Sequence, residues 1–275
     1  FNPNNGIFLN ADQGGILANS TVMLLSDESI AVSAMGTGNL FVGDSLNAEA
    51  LNTITVNHTG RSANANTILA ANASLTAGND FNAMPGSRIR ADNDLTITST
   101  FGGVSAGELV AGDYIAVSAN GLVNITGIAL TTGAAAMGGE SDISIVTPGD
   151  VSVNMVDAFG NFRVNSASLL ASGSIIAGED VDLLTTGAIT TQAISAGDDV
   201  LATSNSGNIT ILSATARGTG PDDGMGDADV VIRSTSGAIT LGAAMSNDEI
   251  VLSTAGNITA NNLTTTGVGL GLDAA

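Results

Sequence analysis

The amino-acid sequence predicts an all-β fold, a right-handed parallel β-helix (β-solenoid) with three short strands per coil of about 19–20 residues. Three observations carry that prediction. Apolar–any–apolar runs recur after Asp, Asn or another polar residue; they return at a near-fixed interval; and Gly, Asn, Asp and Ser fill the short gaps between them. The clearest stretch is 175–200, where IIAGEDV returns as AISAGDDV and Val181 returns as Val200. A repeat this short cannot bury its own apolar side chains, so each copy requires neighbours.

The first strand of each coil is read at Ile30/Val32, Ile54/Val56, Leu95/Ile97, Ile115/Val117, Ile143/Ile145, Phe162/Val164, Val181/Leu183, Val200/Ala202, Val230/Ile232 and Ile250/Leu252. Positions 143, 162, 181 and 200 are 19 apart, and the steps 95–115 and 230–250 are 20. The second strand is read at Val123/Ile125, Val151/Val153, Ile209/Ile211, Ile239/Leu241 and Ile258. The third is read at Leu75/Ala77, Ile89/Ala91, Leu109/Ala111 and Ile175/Ala177, its closing Ala suited to a tight corner. Spacing of two within a run is the strand period, because alternate side chains share a face. Two intervals stretch to 28 and 30 residues, and their excess falls in TTGAAAMGGES (131–141) and ARGTGPDDGMGDAD (216–229). Gly-rich insertions of this kind are expected as surface loops. The interval from Ile54 to Leu95 is less regular and leaves Phe81 without a phase.

Three strands per turn close a triangle, and stacked triangles pair each strand in parallel with its copy about 4.8 Å away. The whole of 1–275 is read as a single β-helix segment of a longer protein. With about 13 or 14 coils, the expected rod is roughly 65 Å long. Helices are excluded because β-branched residues fill the runs and the gaps hold only four to six residues.

The composition narrows the function. Charged residues are 12% of the chain against 44% hydrophobic, a balance opposite to that of disorder. A formal net charge of −20 repels nucleic acid and anionic lipid, so neither is expected as a partner. With no cysteine, disulfides and thiolate metal sites are excluded. No apolar run is long enough to be a transmembrane helix.

The candidate sites are few. His58, the only histidine, lies in TVNHTG with no carboxylate nearby in sequence, and is read as a surface histidine in a turn. A polysaccharide lyase needs a basic residue beside clustered carboxylates; here lysine is absent and Arg61, Arg88, Arg90, Arg163, Arg217 and Arg233 are dispersed. Asp180/Asp182 and Asp198/Asp199 are the pairs a hydrolase would use, but recurring GxD turns are expected to point them into water. No catalytic residue is assigned. Calcium is the candidate ligand of PDDGMGDAD, where Asp222, Asp223, Asp227 and Asp229 share one Gly-rich loop that offers several oxygens, although the spacing is not that of an EF-hand and a flexible acidic loop is the alternative reading. The stacked GED, GDD and GDY turns (Glu179, Asp180, Asp198, Asp199, Asp113) are weaker candidates for it. Asn-x-Ser/Thr sites at Asn19, Asn57, Asn72, Asn124, Asn208, Asn257 and Asn262 are what so Asn- and Thr-rich a chain gives by chance. Thr-rich runs such as TTGAITT do not recur on every coil, which argues against a flat ice-binding threonine surface.

SIIAGEDVDLLTTGAIT, AISAGDDVLATSNSGNITIL and ADVVIRSTSGAITL together resemble the 19-residue coils of filamentous-haemagglutinin-like adhesins, best over residues 88–266. The opening FNPNNGI is similar to that family's Asn-Pro-Asn-Gly secretion motif, with one extra Asn, and reads on its own as an Asn-Pro turn. The resemblance implies a non-enzymatic rod segment, secreted or on the bacterial cell surface and exported by an outer-membrane secretion partner. It also implies a glycan or protein receptor on a host or neighbouring cell, met through the loops at 131–141 and 216–229, with self-association possible. Two other readings stay open: a carbohydrate-active β-helix enzyme of the tailspike or hydrolase kind, and a subunit of a self-assembling filament.

Overall fold

The structure, a computed structural model, describes residues 7–11, 15–61, 65–133, 141–218, 228–266 and 272–274. Every regular element among them is a strand, and strands pair in parallel with their counterparts one coil away. The chain divides into two compact units, Phe1–Ser141 with Thr147–Gly149, and Asp142–Val146 with Asp150–Ala275. Each is a parallel β-helix with three faces, here A, B and C.

In the first unit, face A stacks Val22, Leu46, Ala73, Leu95 and Ile115. Face B stacks Ile7, Ile30, Ile54, Phe81, Val104 and Val123. Face C stacks Ile16, Leu40, Ile68, Ile89, Leu109 and Ala129. In the second unit the corresponding columns begin Ile143, Phe162, Val181, Val200, Val230, Ile250, then Val151, Leu169, Ile189, Ile209, Ile239, Ile258, and then Val156, Ile175, Ile194, Ala214, Ala244, Leu263. Most of these side chains are fully buried, including Phe81 and Phe162, the largest.

Two expectations are corrected by this register. Ile30 and Ile54 do not share a column with Leu95 and Ile115; they lie on face B, and Phe81 joins them between Ile54 and Val104. Leu75 likewise is no third-run residue but stacks on Ile97 in face A. The reason is coil length. Face B steps from Ile7 to Ile30, Ile54 and Phe81, longer intervals than 19–20, and all three runs share one apolar–any–apolar pattern, so counting assigned some to the wrong face. Longer coils also mean fewer: face B has twelve members among the described residues, not 13 or 14.

The three-strand coil holds at Leu95–Ser99, Val104–Ala106 and Glu108–Ala111. In most of the second unit the second and third runs form one bent strand, as in Ile189–Ala196, Ile209–Ala216 and Ile239–Ser246. The register shift between Ala171 and Ser174 marks such a bend. At the corner after the third run, buried Ala177 and Ala196 precede Gly178 and Gly197. A Cβ on Gly178 would sit 1.9 Å from the Phe159 carbonyl, and one on Gly197 1.8 Å from that of Gly178, so only Gly lets the backbones stack this closely.

Candidate functional site

The recurring carboxylates of the second unit are not simply solvated. They form a column at the corner entering face A. Asp142 Oδ1 accepts the Asn161 N–H (2.8 Å), Asn161 Oδ1 that of Asp180 (3.0 Å), and Asp180 Oδ1 that of Asp199 (3.2 Å). Asp199 Oδ1 then accepts the Asp229 N–H, and Asp229 Oδ1 that of Glu249, both at 2.8 Å. Each side chain thus caps a turn N–H of the next coil, which would otherwise be left without a partner. Asn161 is buried and fully used: its Nδ2 also donates to Asp142 Oδ1 and Glu179 Oε2. Arg163 closes the far side of Asp142 at 3.2 Å.

Stacking like charges has an electrostatic consequence. Burial pushes the Asp199 carboxyl up to about 6; the hydrogen bond from Asp229 N–H opposes that shift, and the charges of Asp198, Asp180 and Asp229 add to it. Burial also raises Asp182, against Arg163 and with Asp180. Asp180 and Asp199, one from each pair considered for hydrolysis, therefore carry a backbone-capping task.

A second column occupies the corner between faces A and B. Ser204 Oγ accepts the Gly207 N–H at 2.8 Å and Ser234 Oγ the Gly237 N–H at 2.9 Å, while the two hydroxyls donate to the Gly187 and Gly207 carbonyls of the preceding coil. Thr185 and Thr254 occupy the same place. On face B, Thr190, Thr210, Thr240 and Thr259 stack in register on four successive coils. The row is not visible as a stretch in the sequence because each Thr is the outward middle residue of a separate run.

Of the candidate calcium ligands, Asp222, Asp223 and Asp227 lie outside the described residues, as do 134–140 and 219–227 of the two inserted loops and most of FNPNNGI. Asp229 is described and caps Glu249. Among the described residues no group of three or more metal-ligating side chains converges, and no helix is long and apolar enough to cross a membrane.

In the first unit, His58 corrects the surface reading. It lies inside the strand Ile54–Thr59, 6% exposed, between Thr67 Oγ1 at 3.0 Å from Nδ1 and the Gly36 carbonyl at 3.1 Å from Nε2. The carbonyl can only accept, so Nε2 carries a proton, while Nδ1 is paired with the Thr67 hydroxyl, a group that both donates and accepts. The arginines are less dispersed than their spacing suggested. Glu108 holds Arg61 at 2.8 Å and Arg88 at 3.6 Å, the latter an ion pair too long for a hydrogen bond. Arg88 and Arg90 project from the same side of Arg88–Ala91 and line a cavity of about 380 Å³ with Asp92, Asn93 and Thr132. A third surface feature is a cavity of about 410 Å³ on face B beneath Met84 and Pro85.

Comparison with protein-family models, with curated proteins and with solved structures finds no match.

Proposed function

We propose that this chain is a structural and adhesive repeat segment of a large secreted or cell-surface bacterial protein, similar to the filamentous-haemagglutinin-like adhesins, and that it performs no catalysis. One observation carries the reading: within each unit, coil after coil repeats the same three aliphatic columns in register, a scaffold that holds surface groups in fixed rows. The outward rows then supply contacts to a glycan or protein receptor on a host or neighbouring cell. Calcium belongs to the reading as a ligand of the 221–229 segment. Chelator is then expected to lower the thermal unfolding temperature, and an unchanged temperature removes calcium from the account.

The test is gain of function. A non-adherent bacterium displaying the chain on its surface is expected to attach to epithelial monolayers several-fold more than one displaying an unrelated β-helix. Equal attachment contradicts the proposal.

A further inference from the structure

The 410 Å³ cavity on face B is built in an ordered way. Its floor is one outward row from four successive coils: Thr55 pairs with Asn82, Asn82 with Ser105, and Ser105 with Asn124. At the strand spacing of about 4.8 Å, this row runs about 14 Å. One wall is Met84 and Pro85. Met84 still bonds to the ladder, its N–H on the Val56 carbonyl at 2.9 Å, but Pro85 has no N–H to continue it. The chain therefore turns out of the sheet. Ser87 N–H closes the turn on the Met84 carbonyl at 2.9 Å, with Pro85 second and Gly86 third at φ +90°, the arrangement a type II turn demands. Ser87 Oγ ties the turn back to the Val56 carbonyl at 3.2 Å. The wall is thus fixed in advance of any ligand.

The lining chemistry identifies what fits. No charged residue contributes, in a chain of net charge −20, whereas the 380 Å³ cavity carries Arg88, Arg90 and Asp92, and a smaller one of about 210 Å³ carries Asp27 and Glu49. The amides of Asn82 and Asn124 and the hydroxyls of Thr55 and Ser105 make no hydrogen bond to another described residue. Each of these groups both donates and accepts, as the hydroxyls of a sugar do. Met84, half exposed, and Pro85 offer apolar surface to the C–H face of a pyranose ring. An extended peptide is a poorer match, because the floor presents side chains and no open strand edge.

We propose that this cleft binds a short run of a neutral, uncharged glycan, its hydroxyls on the Thr55–Asn82–Ser105–Asn124 row and one ring face against Met84 and Pro85. The volume is in the range of formed ligand sites, about 300–1,000 Å³. The proposal deepens the adhesive reading and rests on it.

The experiment titrates the full chain, ¹⁵N-labelled, with cellohexaose, fully N-acetylated chitohexaose, maltohexaose and mannohexaose, and with hexagalacturonate as the acidic control. At least one neutral hexamer is expected to move the side-chain amide signals of Asn82 and Asn124, and hexagalacturonate to move neither. Ser105→Trp, which fills the cleft, abolishes binding; Asn82→Ala with Asn124→Ala weakens it roughly tenfold or more. Unchanged circular dichroism confirms that each variant folds. Absence of any shift with all four neutral hexamers overturns the proposal, and so does binding that both variants leave intact. Surface display separates the two claims. If Ser105→Trp cells attach like wild type, the cleft falls and adhesion stands; if wild-type cells fail to attach while the purified chain binds a hexamer, adhesion falls and the cleft stands.

Discussion

The two units have the same kind of core and differ at their corners. In the second, five consecutive turn N–H groups from Asn161 to Glu249 are capped by the side chain one coil back, at 2.8–3.2 Å. In the first, the equivalent corner shows one such contact among the described residues, from Asp94 N–H to Asn72 Oδ1 at 3.5 Å. The corner between faces A and B differs too. Hydroxyls of Thr185, Ser204, Ser234 and Thr254 line it without a break in the second unit; in the first the matching column reads Ser26, Ala50, Ala77, Ser99 and Ala119, with Leu51, Phe101 and Leu122 exposed beside it. Coil length follows the same division. The second unit keeps 18–22 residues per coil apart from one inserted loop; the first varies between 19 and 28. The aliphatic column tolerates coils of any length, because it needs only apolar positions in register. The capping ladder also crosses the 30-residue step from Asp199 to Asp229; what it needs is an Asp or Asn just before the inward position of each coil, where the first unit has Thr21, Ser45 and Tyr114.

The shared core is the first place to challenge that contrast. Phe81→Ala and Phe162→Ala each remove a fully buried ring, one from each unit, and each is expected to cost about 3–5 kcal/mol in urea unfolding. Similar losses confirm that both cores are built alike; a much smaller loss for Phe81 means that the first unit is held otherwise. The corners come next. Asn161→Ala takes the cap from the Asp180 N–H and one partner each from the buried Asp142 and the half-buried Glu179 carboxylates, an expected cost of about 1–3 kcal/mol. Asn72→Ala loses a long, half-exposed contact and is expected to cost less than about 0.5 kcal/mol. Exchange rates of the Asp180 and Asp94 amides read the two effects directly; equal acceleration would erase the distinction between the units.

The smallest effect is electrostatic and confined to the second unit. The folded Asp199 carboxyl, at about 6, lies above its unfolded value, so the folded chain holds this proton more firmly. Its contribution is fully present below the unfolded value of about 3.9 and is lost as pH rises through about 6. Asp199→Asn keeps an oxygen for the Asp229 N–H while removing the charge. It is expected to be more stable than wild type at neutral pH and to flatten the gain that wild type shows in mild acid. A variant that keeps the wild-type pH profile would place the titration elsewhere.

Much of this architecture was legible in the sequence, and the limits have physical causes. Runs such as VDL and ITI declare strands, and the 19-residue return of Val181 as Val200 declares stacking. Which face a run occupies is a different matter: Ile54 and Leu95 carry the same pattern, and only the neighbours they pair with tell them apart. A turn aspartate such as Asp180 reads alike whether it faces water or a backbone N–H. Arg61 and Arg88 meet only because Glu108, paired with Arg88 on the next coil, reaches both, and His58 is buried because it falls on an inward position of its strand. The glycan cleft needed both the phase of Phe81 and the turn at Pro85, neither of which spacing alone reveals.

The chain contains no cysteine, so an engineered pair can report the register without interference. Thr210 and Thr240 are 30 residues apart yet directly paired on face B, at the neighbouring-strand distance of about 4.8 Å, inside the disulfide range of about 4.4–6.8 Å. Mild oxidation of Thr210→Cys/Thr240→Cys is expected to close an intramolecular disulfide rapidly, with little change in circular dichroism. Failure of that pair under conditions where Leu212→Cys/Thr240→Cys, out of step by two residues, closes readily would contradict the stacked register on which the account stands.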